Sequence, residues 1–160
     1  MFRAQIDRSQ FGAPLDELAR RLDDPAEVLE AIGNLLETNV RNRAALAIDP
    51  DGRPWAVWAD STREAYPFAG TLAGKGLEGA GNGRLLDRYG TMLGSLSYQV
   101  DGDAVIVGFG QDYAVYHEWG TKHMPRRGLL MSDPDRGTLG AEDEASVLDL
   151  VNGWLDELLG

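Results

Sequence analysis

Residues 97–109 read SYQVDGDAVIVGF, with two runs rich in β-branched and aromatic residues on either side of Asp101-Gly102-Asp103. An Asp-Gly turn between two such runs is a strong short-range signal for a β-hairpin. Residues 2–7 alternate apolar and polar side chains, which is the period of a half-buried strand. The sequence therefore predicts a small antiparallel sheet made of an N-terminal strand and this hairpin.

Two amphipathic helices are predicted to pack with the sheet. The first begins at Asp24-Pro25-Ala26-Glu27, where Asp24 can cap and Pro25 suits the first helical position, and its helical apolar spacing continues to about Ala47. The second covers Glu142 to Leu159. Shorter helical segments are expected after Pro14, at 60–64, from Arg84 to Leu96 and from Asp112 to Trp119, the last ending at Gly120. The predicted fold class is α+β.

The chain of 160 residues fits a single domain, 1–160. Asp49-Pro50-Asp51-Gly52 is predicted to form a turn, and residues 128–132 are a candidate strand. Residues 66–83 hold six glycines and few large apolar residues, so we expect a mobile loop in which Lys75 is open to trypsin.

Composition disfavours several classes of function. The chain has no cysteine, which excludes a disulfide framework, a Cys-ligated zinc and a cysteine nucleophile. Its net charge is −11, and residues 133–160 carry eight acids against one base, so nucleic-acid and membrane binding are disfavoured. No apolar stretch of signal-peptide length stands at the N-terminus, and we expect a cytoplasmic protein.

Signals for catalysis are weak. Residues 70–76 (GTLAGKG) have one residue too few between glycines for a phosphate-binding loop, and Gly76 stands where a magnesium-holding Ser or Thr is needed. His117, Glu118 and His123 could serve a small metal-dependent hydrolase only if carboxylates completed the ligand set. An acidic inhibitor that mimics DNA is a further alternative. We expect no enzyme activity, no cofactor and no bound metal.

Residues 113–120 (YAVYHEWG) concentrate aromatic rings next to a loop with Lys122, Arg126 and Arg127. Aromatic and Arg side chains are enriched at protein interfaces, but aromatic rings also build cores. Residue types alone favour core and interface equally here.

Five short motifs occur in an order that identifies a family resemblance. They are Asp49-Pro50-Asp51-Gly52 with Trp55, the pair Ser61-Thr62, the segment Leu86–Leu96, the valine-rich strand 103–108, and Tyr113-Ala114 with His117 and Gly120. A sixth segment agrees at Pro125, Arg127, Leu130 and Ser132 and departs at Arg126, Gly128 and Leu129; Glu118 also departs, from Gln. The sequence resembles the virion morphogenesis (tail completion) family of tailed, Mu-like phages and prophages.

The resemblance implies a non-enzymatic α+β assembly protein that completes the tail or joins it to the head. It implies a ring at the neck, six copies being the expected number, and partners that are copies of itself and neighbouring tail or neck proteins, without sequence-specific nucleic acid or membrane. It implies a virion protein assembled in the host cytoplasm.

Roles for individual residues follow from this reading. We expect a subunit or partner interface at Trp119, Lys122, Arg126 and Arg127. Tyr113 is expected to pack inward, and His117 to make a structural hydrogen bond. The structural motif residues are Asp49, Pro50, Gly52, Trp55, Tyr113, His117, Gly120 and Pro125.

Overall fold

The computed structural model describes residues 2–7, 25–65, 86 and 90–159. The elements, in chain order, are strand β1 (Phe2–Asp7), helices α1 (Ala26–Leu46), α2 (Asp60–Ala65) and α3 (Thr91–Gly94), strands β2 (Leu96–Asp101) and β3 (Ala104–Phe109), and helices α4 (Ala114–Trp119) and α5 (Ala141–Leu159). The predicted α+β class is confirmed.

The three strands form one antiparallel sheet in the order β1-β3-β2. Both pairings run through six residues without a bulge. Gly102 has a φ of +59°, whereas Asp103 does not have a positive φ. A two-residue turn with a positive φ at its first position only is typical of type II′, which suits the right-handed twist of a hairpin. The predicted hairpin is confirmed, with β2 beginning one residue earlier than expected.

One face of the sheet packs against α1, which lies across β2 and β3. Side chains alternate as predicted, so that Phe2 and Ala4 are buried while Arg3 and Gln5 are exposed. Gly33 of α1 allows the helix to approach β2 closely, because a Cβ at this position would overlap the ring of Tyr98. The core extends from this contact to α5 through buried aliphatic side chains, among them Val28, Ile32, Leu36, Val40, Val105, Val107, Val147 and Val151.

Helix α1 ends at a left-handed residue, Ala47, with a φ of 55°. The predicted turn follows directly: the Asp49 carboxylate accepts the N–H groups of Asp51 (2.9 Å) and Arg53 (2.8 Å), and Gly52 has a φ of +76°. Pro50 is fully buried, and its carbonyl lies so close to Gly140 that a Cβ at 140 would overlap it. This turn therefore fixes the start of α5 against the end of α1.

A buried ion pair joins α1 and α5. Arg43 Nη1 donates to Asp143 Oδ1 at 2.7 Å, and Asn39 Nδ2 donates to the same oxygen at 2.9 Å. Both members of the pair are almost fully shielded from water. The two long helices are thus held in register by a polar contact inside an apolar interface.

Several predictions fall outside the described residues: the helix after Pro14, the Asp24 cap, and the mobile loop 66–83 with Lys75. Of the helix predicted from Arg84 to Leu96, the described residues contain only α3, preceded by Gly90 with a φ of 73°. The prediction of a strand at 128–132 is wrong. Those residues form no strand, and the next subsection gives the reason.

Candidate functional site

Helix α4 and the loop after it form the part of the structure that the sequence singled out. The helix ends at Gly120, as predicted, with a φ of 75°. A Cβ at Gly120 would come within 2.9 Å of the Arg126 backbone nitrogen. Glycine therefore lets the chain turn back on α4, where the Arg127 N–H donates to the His117 carbonyl at 2.8 Å.

The side chain of Glu118 holds this loop from the inside. The carboxylate is fully buried and accepts three consecutive backbone N–H groups, those of Leu129 (2.6 Å), Leu130 (3.0 Å) and Met131 (2.9 Å). The Arg126 guanidinium lies 3.5 Å from the same carboxylate. Residues 129–131 form no strand because these donors are bonded to a carboxylate instead of to a neighbouring strand.

Burial raises the pKa of the Glu118 carboxyl above its usual range. The three N–H donors and the Arg126 charge favour the ionised form, but the loss of hydration outweighs them. Glu118 is therefore a buried acid whose charge is balanced by donors that the fold has placed around it.

Two arginines connect the loop to other parts of the chain. Arg126 donates to the backbone carbonyls of Glu118, at 2.7 Å, and of Met131. Arg127 donates to the carbonyls of Ala56 (2.8 Å) and Val57 (3.1 Å). Arg127 is only 7% exposed, so the prediction that it faces a neighbouring subunit is wrong. Its guanidinium pairs with carbonyls of a segment that belongs to no strand or helix.

Trp55, a predicted structural motif residue, anchors the same loop. Its ring is buried, and its indole N–H donates to the Gly128 carbonyl at 3.0 Å. The loop is thus bonded to α4 through Glu118 and to residues 55–57 through Trp55 and Arg127. Pro125 lies exposed within it.

The outer side of α4 presents aromatic side chains to solvent. Tyr113 is 41% exposed, Tyr116 56% and Trp119 41%. The prediction that Tyr113 packs inward is wrong, because α4 begins at Ala114 and its buried face consists of Ala114 and Glu118, four residues apart.

The side chain of Trp119 is partly exposed and also makes two contacts within the chain. Its ring packs edge-on against Phe2, with centroids 5.1 Å apart, and its indole N–H donates to the Asp135 carboxylate at 3.1 Å. Lys122 lies exposed in the turn that follows. Of the four predicted interface residues, Trp119 and Lys122 reach the surface, Arg126 is half-buried and Arg127 is buried.

His117 lies between the buried and exposed sides of α4. Its Nδ1 is buried and has no hydrogen-bond partner among the described residues, so the expected structural hydrogen bond is not made at this atom. Burial and, secondarily, the Arg127 charge lower the pKa of His117 below its ordinary value.

A pH dependence follows for stability. The unfolded chain binds the His117 proton more tightly than the folded protein does, so the contribution of His117 to the free energy of unfolding should fall as the pH drops below about 6.5. The raised pKa of Glu118 acts in the opposite direction, and a variant is needed to separate the two. We expect His117→Phe to lose less stability than wild type between pH 7.5 and pH 5.5 in urea unfolding. Equal losses would show that His117 does not contribute.

No group of three or more His, Cys, Asp or Glu side chains in the described part of the chain could hold a metal ion. His123, the second member of the considered metal site, is exposed in the turn after α4. Among the described helices, none is long and apolar enough to cross a membrane.

A sequence model of the phage virion morphogenesis family matches residues 6–156. The chain belongs to the phage virion morphogenesis family. The match begins at the last two residues of β1 and reaches the last turns of α5, so β2, β3, α4 and the loop after α4 all lie within it. Membership in the phage virion morphogenesis family indicates a structural role in phage assembly and association with the virion. Comparison with curated proteins and with solved structures gave no match.

Sequence reasoning missed the role of Glu118, which it considered only as a metal ligand. One signal was available: Ala114 and Glu118 share a helical face, and Ala114 is small and apolar. Three apolar residues then follow Gly128, none of them a proline, so each has a backbone N–H group to donate. Nothing in the sequence by itself places that segment next to the carboxylate.

Proposed function

We propose that this member of the phage virion morphogenesis family completes the tail or joins it to the head, as one of several copies that form a ring at the neck. The family match over residues 6–156 is the observation that carries this proposal. A chain of 17.4 kDa is small for closing a tail end alone, and identical subunits joined head to tail form a closed ring when the rotation from one to the next closes.

The surface proposed to meet a neighbouring protein is the α4 ridge, defined as Tyr113, Tyr116, Trp119 and Lys122. Three exposed aromatic side chains on one short segment give the composition that protein interfaces favour. The ridge lies on α4 and the start of the loop after it. Hydrogen bonds from the side chains of Glu118, Arg126 and Arg127 hold this loop in place. A surface held in place before binding loses less conformational entropy when the partner docks.

Tyr116→Ala tests this role most cleanly, because Tyr116 is the most exposed of the three aromatic residues in the ridge. In a phage or prophage whose own copy of this gene is deleted, we expect the variant to leave unjoined tails and heads. Truncation of an interface hot spot costs roughly 2 kcal/mol or more, or about a 30-fold loss of affinity. The purified variant should melt like wild type. Trp119→Ala should also fail, with some loss of stability from the missing contact with Phe2.

Leu46→Ala is the matched control. Leu46 is also apolar and 69% exposed, but it lies at the end of α1. Particles carrying Leu46→Ala should be complete in electron micrographs. Complete particles with Tyr116→Ala would contradict the role of the α4 ridge.

The metal-dependent hydrolase and the acidic DNA mimic are not supported by a specific contact in the described residues. We therefore propose no second function.

A further inference from the structure

The outer edge of β2 presents backbone groups with no strand beside them in the described part of the chain. The two-residue turn pairs Asp101 with Ala104, and the Gly110 N–H donates to the Ser95 carbonyl at 3.0 Å. In an antiparallel pair, successive residues alternate between bonding to the neighbouring strand and pointing away from it. Because Ser95 and Asp101 lie opposite residues to which they are hydrogen-bonded, the N–H and C=O groups of Tyr98 and Val100 point away from β3. In agreement, the Leu96 carbonyl accepts Arg41 Nη2, a group outside the sheet, at 3.1 Å. We call Tyr98 and Val100 the β2 edge.

The outer edge of β1 has the same character. Residues of β3 alternate between their two neighbours, and Val105, Val107 and Phe109 bond to β1. The backbone groups of Arg3 and Gln5 therefore point away from the sheet. We call these two residues the β1 edge. Within the described residues, β1 and β2 each pair with β3 and with no other strand.

Within the described residues, several of the usual blocks against further pairing are missing from both edges. Natural proteins block edge strands with charged side chains, above all lysine, with proline, with bulges, with very short strands or with a covering segment. The β1 edge carries one such charge, Arg3. β1 and β2 have six residues each, contain no proline or lysine, and pair with β3 without a bulge. Tyr98 and Val100 are also apolar residues on the core side that remain only half-buried. A strand placed beside them would complete their burial.

The direction of the strands indicates which partner fits. β1 and β2 are both antiparallel to β3, so they run parallel to each other at opposite edges. Rotation about an axis along the strands brings the β2 edge of one copy to the β1 edge of the next, with both strands running the same way. Such a contact uses two different surfaces and can close into a ring.

The registers also match. Ala4 and Tyr98 are both opposite Val107, and both face the core side. With Tyr98 of one copy level with Ala4 of the next, the Tyr98 backbone meets the outward groups of Arg3 and Gln5. Core-facing side chains stay on the core side, and the exposed side chains of Gln99 and Gln5 become neighbours on the other.

We propose that the β2 edge of one copy pairs in parallel with the β1 edge of the next, so that one continuous sheet runs around the ring. The partner is a second copy of this chain. This inference rests on the proposed function in one respect, that several copies form a ring.

Cysteine cross-linking tests this pairing directly, because the natural chain has no cysteine. Gln5 and Gln99 are both opposite Ile106, two strand spacings or about 10 Å apart within one copy. A disulfide needs Cα atoms about 4.4–6.8 Å apart, so the double variant Gln5→Cys/Gln99→Cys can bridge only between copies. The double variant Arg3→Cys/Gln99→Cys tests the alternative in which β1 of the next copy is shifted by two residues along β2. Tails purified from complemented particles are oxidised and run on a non-reducing gel.

We expect one of the two double variants to give a ladder of dimers, trimers and larger species up to the full ring. The single variants Gln5→Cys and Gln99→Cys should remain monomeric. Efficient dimers from Gln99→Cys alone would show a two-fold pairing of β2 with itself and overturn the proposal. So would tails that carry several copies but give no ladder with either double variant. Tails with a single copy would instead overturn the ring itself, which separates the two failures.

Discussion

Replacing Glu118 with alanine is expected to lower the free energy of unfolding by at least about 3 kcal/mol. The change leaves the N–H groups of residues 129–131 buried without their acceptor. Each buried donor without a partner costs about 1–3 kcal/mol. Removal of the side chain also leaves a cavity beneath α4. Urea unfolding of the purified variant measures the loss.

Glu118→Gln should show an intermediate loss. One carbonyl oxygen of glutamine can still accept two of the N–H groups, and the resemblance to the tail completion family places Gln at this position. The NH₂ group, however, would face the third donor. Glu30→Ala on the exposed face of α1 is the control and should be close to wild type. A Glu118→Ala protein as stable as Glu30→Ala would contradict the structural role of the carboxylate.

Replacing Asp143 with alanine is the second change with a large expected effect, about 3–5 kcal/mol. It leaves the Arg43 guanidinium buried with its 2.7 Å partner removed. Asn39 loses its acceptor on Asp143 as well. The contact between α1 and α5 should loosen, and thermal unfolding should begin at a lower temperature.

The double variant Arg43→Met/Asp143→Ala provides the control for this pair. Removing both charges avoids an uncompensated buried ion, so the double variant should be more stable than Asp143→Ala alone. The coupling energy from the double-mutant cycle measures the free energy of interaction between Arg43 and Asp143. Additive losses from the two single changes would contradict an ion pair that acts as a unit.

Local patterns predicted most of the described fold. The hairpin follows from Asp101-Gly102-Asp103 between two strand-like runs, and α1 and α5 follow from apolar residues at helical spacing. Each of these signals lies within one segment, where periodicity and turn chemistry act directly.

The buried contacts between α4 and the loop that follows it could not be predicted in the same way. Glu and Arg side chains are seldom fully buried, so residue type points Glu118 and Arg127 outward. Their burial depends on backbone groups of residues 129–131 and 56–57, which only the tertiary fold brings near. The inward prediction for Tyr113 failed for a local reason. The helix starts at Ala114 instead of Asp112, and in a six-residue helix that difference decides which side is buried.

The number of copies on each tail tests the central claim most directly. Quantitative mass spectrometry of purified particles, with labelled peptides of this chain and of the main tail protein as standards, gives that number. If the chain forms a ring at the neck, each particle carries the same small number of copies, several per particle, at one end of the tail and independent of tail length. A single copy per tail, or a number that rises with tail length, would contradict it.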